Sequence, residues 1–351
     1  MHALCFCLST LNVTEDSALV ADLCLIAYSR VFPVLLSLAV VTNVLNAVVL
    51  LSPHPGGRFQ PTPIRKYLLW ITLSHCVICA TVLLGIWVRD RVGLSYSWAF
   101  YFAHFEQPLY DVFNCSYAWI IVGLSRDRHQ AVCRPHQYTV AASHARAAWR
   151  IALAYAFSAL VYAPHCFAQE PVFSAEHAGW HVTGADLFSS RAWAAWAVLS
   201  QVLHRLVPAA ILVGLNTKIL VAVSRLGNSS VRPGGRPGGS PSRRRERQIT
   251  HLLLALTLSF LVTNVPAAAI KLAYIAMGQH CQIHAGMEIA RSIANCLEMA
   301  GYSADFLLYF LMNPEYRRDL HGLLSKLWGF FGVTKTCPLP EITEEQATVS
   351  Q

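Results

Sequence analysis

Charge is what this chain has least of. Of its 351 residues only 13% are Asp, Glu, Lys or Arg, while 55% are hydrophobic. Soluble domains carry about 25% charged residues. That shortage excludes a pair of ordinary soluble domains, which the length alone would allow. Acidic residues are the scarcer sign, 19 against 27 basic, for a formal net charge of +8. The arginines lie between apolar blocks and not in one patch. The excess therefore reads as the positive-inside pattern of a membrane protein, and no nucleic acid is expected as a partner. A spaced cysteine framework is also missing: most of the 11 cysteines sit in apolar runs, where a small thiol is ordinary packing. No Cys/His spacing reads as a zinc site, and His280, Cys281 and His284 read as a wet loop, so neither metal nor cofactor is expected. The first residues lack a basic stretch followed by a cleavage site, so no removable signal peptide is expected. The halves show no repeat of the kind that small transporters carry. No Ser/His/Asp set lies at one depth, as a membrane enzyme would need.

What is present is a succession of long apolar segments, with a mean hydropathy of +0.42 for the whole chain. Seven are read at about residues 29–51, 67–88, 98–129, 148–167, 192–223, 249–277 and 288–311, each at least the ~20 residues a membrane helix needs. The fold class expected is an all-α integral membrane protein, a seven-helix bundle over 29–311. Residues 1–28 precede it, and they include a glycosylation sequon at Asn12. Residues 225–248 are rich in Gly, Pro, Ser and Arg and read as a flexible linker. Residues 169–190 read as a polar loop, and 134–150 as a basic one. Residues 314–331 set Tyr316, Leu320, Leu323, Leu324 and Leu327 opposite Arg317, Arg318 and Lys326, an amphipathic helix for the lipid surface. In the tail, 332–351, Cys337 is a candidate for palmitoylation. Basic loops after the first, third, fifth and seventh segments put those sides in the cytoplasm and the N-terminus outside, at the plasma membrane.

Polar residues inside these segments must face protein or water, because lipid leaves them without partners. The third segment is the most polar, with His104, Glu106, Gln107, Tyr110, Asp111 and Asn114 in its first half. They fit a helix that lines a wet cavity. The same segment stops abruptly at Asp127-Arg128.

Asp127-Arg128-His129 resembles the Asp-Arg-Tyr signature that ends the third helix of rhodopsin-like G protein-coupled receptors. The other landmarks follow in the family's order. They are Asn43 in the first helix, Pro208 with Asn216 in the fifth, and Phe260 before Pro266 in the sixth. In the seventh, Asp305-Phe-Leu-Leu-Tyr309 is similar to the family's Asn-Pro-x-x-Tyr element. A finer similarity, through Trp119-Ile-Ile, Ala131-Val132-Cys133-Arg-Pro135, Tyr138 and Asn295, points to the orphan-type branch that senses aromatic amino acids and related peptides.

The resemblance implies an extracellular peptide or amino-acid-like ligand and a heterotrimeric G protein, with a constitutive or decoy seven-helix receptor as the alternative and a small-solute or ion transporter as the distant one. Tyr110, Asp111, Asn114, Asn295 and Glu298 are expected at the floor and one wall of the ligand pocket. Gln201 and His204 join them from the fifth helix, with Lys271 and Arg291 nearer the mouth. Pro208 and Pro266 supply weak points in the helices that move. Glu246 is expected to hold Arg128 when the receptor is inactive.

The departures are equally specific. His75 stands where most of the family has a sodium-holding aspartate, and Asp305 where it has asparagine. With Asn43 they are expected around one buried site, with His75 supplying the cation in place of sodium and signalling that depends on pH. Asn264 stands where the family has a tryptophan. Ala267 lacks the arginine expected of the amino-acid-sensing branch.

Overall fold

The computed structural model describes residues 15–52, 63–89, 94–134, 140–174, 179–186, 190–228, 241–277 and 285–330. Among them are seven long helices and a shorter eighth. Helix α1 comprises Glu15–Ile26, a π-helical turn Ala27–Val31, and Phe32–Leu51. Helix α2 is Pro63–Arg89. Helix α3 comprises Tyr96–Tyr101, a π turn Phe102–Glu106, and Gln107–Cys133. Helix α4 is Val140–Tyr162, tightening to a 3-10 turn at Ala163–Phe167. Helix α5 comprises Arg191–Gln201, a π turn Val202–Leu206, and Val207–Asn228. Helices α6, α7 and α8 are Pro241–Met277, Ala285–Met312 and Pro314–Phe330. Within the described residues, four helices are long and apolar enough to cross a membrane by composition alone: Asp22–Leu51, Pro63–Val88, Arg191–Ser224 and Gln248–Ala276. Helices α3, α4 and α7 carry too many polar groups for that test.

The three π turns share a cause. Pro33, Pro108 and Pro208 each follow one by two residues. Proline has no N–H to give the carbonyl four residues back, and its ring crowds that carbonyl. Widening the preceding turn relieves both. The extra residue also turns the chain about its axis. In α5 this leaves His204 and Arg205 buried, although they lie in an otherwise apolar run.

Four boundaries differ from the sequence reading. Helix α1 starts at Glu15, because Ala18-Leu-Val-Ala-Asp-Leu-Cys-Leu-Ile26 holds no helix breaker, so the segment 1–28 is not all tail. Helix α4 starts at Val140 and takes in part of the basic loop, since its alanines favour helix. The linker read at 225–248 is shorter: α5 runs to Asn228 and α6 begins at Pro241. Proline suits a first helical position, and the Arg/Glu/Gln run behind it forms helix readily. The polar loop at 169–190 contains a hairpin, β1 Gln169–Ser174 against β2 Gly179–Gly184.

Helix α3 is the packing centre. Its Tyr117, Ala118, Ile120, Ile121 and Leu124 are buried in one cluster. Tyr67 and Ile71 of α2, Ile151 of α4, Leu212 of α5, Leu256 and Phe260 of α6 and Tyr309 of α7 complete it. Tyr316 and Leu320 of α8 reach the same cluster, so the amphipathic helix is tied to the bundle. The Tyr316 hydroxyl donates to Asn46 Oδ1 at 2.6 Å, and Asp319 lies 3.7 Å from Arg65. Arg65 in turn donates to the carbonyls of Val49, Leu50 and Ser52, closing the end of α1. Asn313 starts α8 by accepting from the amides of Glu315 and Tyr316.

The hairpin is pinned to the start of α3 by Trp180. Its amide donates to Leu94 O at 3.1 Å, and its ring packs edge-on against Tyr96 at 4.9 Å and Phe173 at 5.6 Å. Each such aromatic pair is worth ~0.5–1.5 kcal/mol. Trp180→Ala is expected to speed amide exchange across 169–184 by about tenfold or more, as measured by hydrogen–deuterium exchange. Equal exchange rates would show that the backbone pairing alone holds the hairpin.

Candidate functional site

A cavity of about 620 Å³ opens among α1, α2, α3, α5, α6 and α7 toward the hairpin end of the bundle. Its wall mixes apolar side chains such as Val82, Ile86 and Ile270 with Glu106, Gln107, Tyr110, Gln201, Lys271, Arg291, Asn295 and Glu298. Tyr110, Gln201, Lys271, Arg291, Asn295 and Glu298 of the sequence-predicted set therefore line it. Asp111, Asn114 and His204 do not. They are buried behind the wall, and their bonds explain why. Asp111 is held by Gln107 at 2.7 Å and His165 at 3.3 Å. Asn114 donates to Glu298 at 2.6 Å. His204 Nδ1 meets the Tyr162 hydroxyl at 2.7 Å.

The charges form two linked groups. Nearer the mouth, Arg291 bonds Glu288 at 2.6 Å and lies over the Tyr274 ring at 5.2 Å, while the Tyr274 hydroxyl donates to the same carboxylate. Asn295 donates to Tyr28 of α1 at 2.8 Å. At the floor, Arg205 donates to Glu298 at 2.8 Å, and Tyr302 donates to it at 3.3 Å. Arg205 is wholly buried and Glu298 is 4% exposed. The sequence reading did not select Arg205. The signal was present: a lone arginine in an apolar run before Pro208 must face a partner inside the bundle. His165 and Glu288 were missed as well, and both lie close to a helix end, where a charge is unremarkable.

Below the floor, His75 Nδ1 lies 3.5 Å from Asp305 Oδ2, with both side chains fully out of solvent. The His75 ring sits between Tyr117 and Tyr302, with centroids at 4.4 and 4.6 Å. Asn43 bonds backbone carbonyls, at Ala39 and at Tyr302 of α7. It therefore braces the helix that carries Asp305 and does not bond the pair. Asn264 is buried and its amide donates to the neighbouring Thr263 hydroxyl at 3.0 Å, where the family's tryptophan would set an aromatic ring.

At the other end, Asp127 is fully buried and accepts from Tyr67 of α2 at 2.9 Å. Arg150 of α4 bonds its second oxygen. Gly123 permits this approach: a Cβ there would stand 3.3 Å from the Tyr67 ring. Asn216 joins α5 to Thr257 of α6 at 2.6 Å. Phe260 meets Tyr117 edge-on at 5.9 Å, and Tyr309 meets Tyr316 at the same separation. Pro266 lies inside α6. The backbone of Glu246 belongs to α6, but its side chain lies outside the described residues, as do Asn12, Cys337 and the loop with His280, Cys281 and His284.

A bundle of this order, with a charged cavity at one end and a buried Asp127 beside Arg128 at the other, is that of a seven-helix membrane receptor. The profile of the 7 transmembrane receptor (rhodopsin family) matches residues 46–305, and the chain belongs to that family. It is a multi-pass plasma-membrane protein and not an enzyme. Among its relatives is one from Caenorhabditis elegans described as probable G-protein coupled receptor AH9.1. The two are 24% identical over 340 residues, covering 89% of this chain and 80% of the relative. A second from the same organism, probable G-protein coupled receptor B0563.6, is 21% identical over 318 residues, covering 83% and 68%.

Proposed function

We propose that this receptor binds a small peptide or amino-acid-like ligand in the 620 Å³ cavity and signals to a heterotrimeric G protein through the Arg128 end of α3, α5 and α6. The N-terminus is then extracellular, a reading that the basic loops support. One observation carries the reading of the ligand. Both signs of charge, from Lys271, Arg291, Glu106 and Glu298, line one pocket with an apolar wall. A zwitterion or short peptide offers the complementary set. Binding shifts the bundle toward a state open to the G protein by differential affinity for the two states.

The test is a peptide and amino-acid library screened against calcium and cAMP readouts in cells that express the chain. Tyr110→Ala and Lys271→Ala are each expected to weaken the potency of any active compound by about tenfold or more. Potency unchanged in both would place the ligand elsewhere. The missing ring at Asn264 favours a second reading, a receptor active without ligand. High basal second-messenger output at matched surface expression, unaltered by every compound, would select it.

A further inference from the structure

The bonds on Glu298 are unequal. All three protein donors, Arg205 Nη2 at 2.8 Å, Asn114 Nδ2 at 2.6 Å and the Tyr302 hydroxyl at 3.3 Å, converge on Oε1. Among the described residues no donor reaches Oε2, and Glu298 lines the cavity. One oxygen thus organises helices α3, α5 and α7, while the other is left for whatever enters. Arg205 is equally unbalanced: its Nε and Nη1 are buried and meet no partner among the described residues. A guanidinium joined to one carboxylate oxygen by one nitrogen is held far less firmly than in the two-bond fork its shape allows.

We propose that Glu298 Oε2 is the docking atom for a basic group on the ligand, an ammonium or guanidinium, and that this group competes with Arg205 for Glu298. The inference rests on the receptor reading above and names the chemistry of the ligand's deep end. The competition is electrostatic. Two cations on one carboxylate repel each other, and the burial of Arg205 leaves that repulsion less screened than in bulk water. As the ligand's cation takes Oε2, the bond from Arg205 to Oε1 weakens and α5 is freed from α7. Arg205 is in the π turn before Pro208, where the helix is already widened and a small rotation meets little resistance. The exchange gives the bundle a charged trigger, in a chain that has Asn264 where the family has its tryptophan.

The experiment uses the purified full-length receptor in detergent, with benzylamine, benzylguanidine and benzyl alcohol as probes. The first two carry the cation, and the third has the same ring without it. Binding is read as thermal stabilisation across a concentration series. Both cations are expected to stabilise the wild type and benzyl alcohol is not. Glu298→Gln is expected to weaken the two cations by about tenfold or more. Arg205→Gln removes the competitor and is expected to tighten them by a similar factor. Should either variant fold poorly alone, the direction still reads out: benzylamine added during extraction raises the yield of folded Arg205→Gln and not that of Glu298→Gln. Equal affinity for benzylamine and benzyl alcohol in the wild type, or cation binding unchanged by Glu298→Gln, overturns the docking. Cation binding unchanged or weakened by Arg205→Gln overturns the competition. Because binding is read without a G protein, a receptor that passes these tests yet never signals would overturn the coupling reading and leave this one standing.

Discussion

Replacing Arg150 by alanine should cost the receptor about 3–5 kcal/mol, the usual loss when one member of a buried ion pair is removed and the other is stranded. Asp127 is fully buried, and its carboxylate is met by Arg150 of α4 and the Tyr67 hydroxyl of α2. Without the guanidinium it keeps one neutral donor in a site closed to water. Tyr67→Phe removes the lesser partner and should cost about 1–3 kcal/mol. Asp127→Asn combined with Arg150→Ala should recover much of the loss, because the stranded charge is gone. A double-mutant cycle read by the thermal unfolding of purified receptor gives the coupling, expected above ~1.5 kcal/mol. Additive effects would mean that Asp127 is neutralised by some other group. Asp127 and Arg128 are adjacent in the chain, and the sequence allows them to pair with each other. With α2 and α4 holding the acid, Asp127→Asn frees a joint of three helices, and raised basal signalling is the expected consequence.

The second large effect concerns the cation below the cavity. Exchanging sodium for a large organic cation such as N-methyl-D-glucamine should leave agonist response, or basal activity, of the wild type unchanged. His75 stands 3.5 Å from Asp305, both fully buried, and the imidazole lies between two tyrosine rings. The expected arrangement has the proton on His75, which then balances Asp305 with no metal ion, as a close ion pair without a direct hydrogen bond. With the proton on His75, His75→Leu strands the Asp305 charge and is expected to lower stability by about 3–5 kcal/mol, whereas His75→Leu with Asp305→Asn should be far milder; a small loss in His75→Leu alone would place the proton on Asp305. His75→Asp puts two carboxylates together and should create a sodium effect on signalling where none existed. A strong sodium effect on the wild type, abolished by Asp305→Asn, would show that the acid is served by sodium after all. The expected pH dependence of signalling belongs to the same pair, and a pH profile unchanged by His75→Asn would sever that link.

How much was legible beforehand depends on the range of the force concerned. Hydropathy is a sum over neighbours in the chain, so the seven apolar segments, the amphipathic α8 and the helix-weakening prolines could be read directly. Proline's missing donor is a local fact as well, yet the way the helix absorbs it is not. The π turns before Pro33, Pro108 and Pro208 depend on what the turned residues then meet. Boundaries moved for a related reason. Residues 134–150 read as a basic loop by charge, but the alanines after Val140 continue α4 once Ala147 has a core to enter.

The sequence by itself determined the class of protein: too little charge for water, apolar stretches of membrane length, and the ordered landmarks Asn43, Asp127-Arg128, Pro208, Pro266 and Asp305 to Tyr309. It also determined which polar groups would need partners inside the bundle. The tertiary structure alone decided who those partners are. Glu298 is expected in the pocket from sequence, but that it is held by Arg205 follows from how α5 is rotated past its widened turn. Asp127 could have paired with its neighbour, and α2 and α4 took it instead. Asp111 and Asn114 are expected at the pocket with Tyr110, yet their partners His165 and Glu298 hold them behind the wall. Burial of a polar group is a property of its segment, whereas its compensation needs a second group within about 3 Å, and only the packed helices bring that group near.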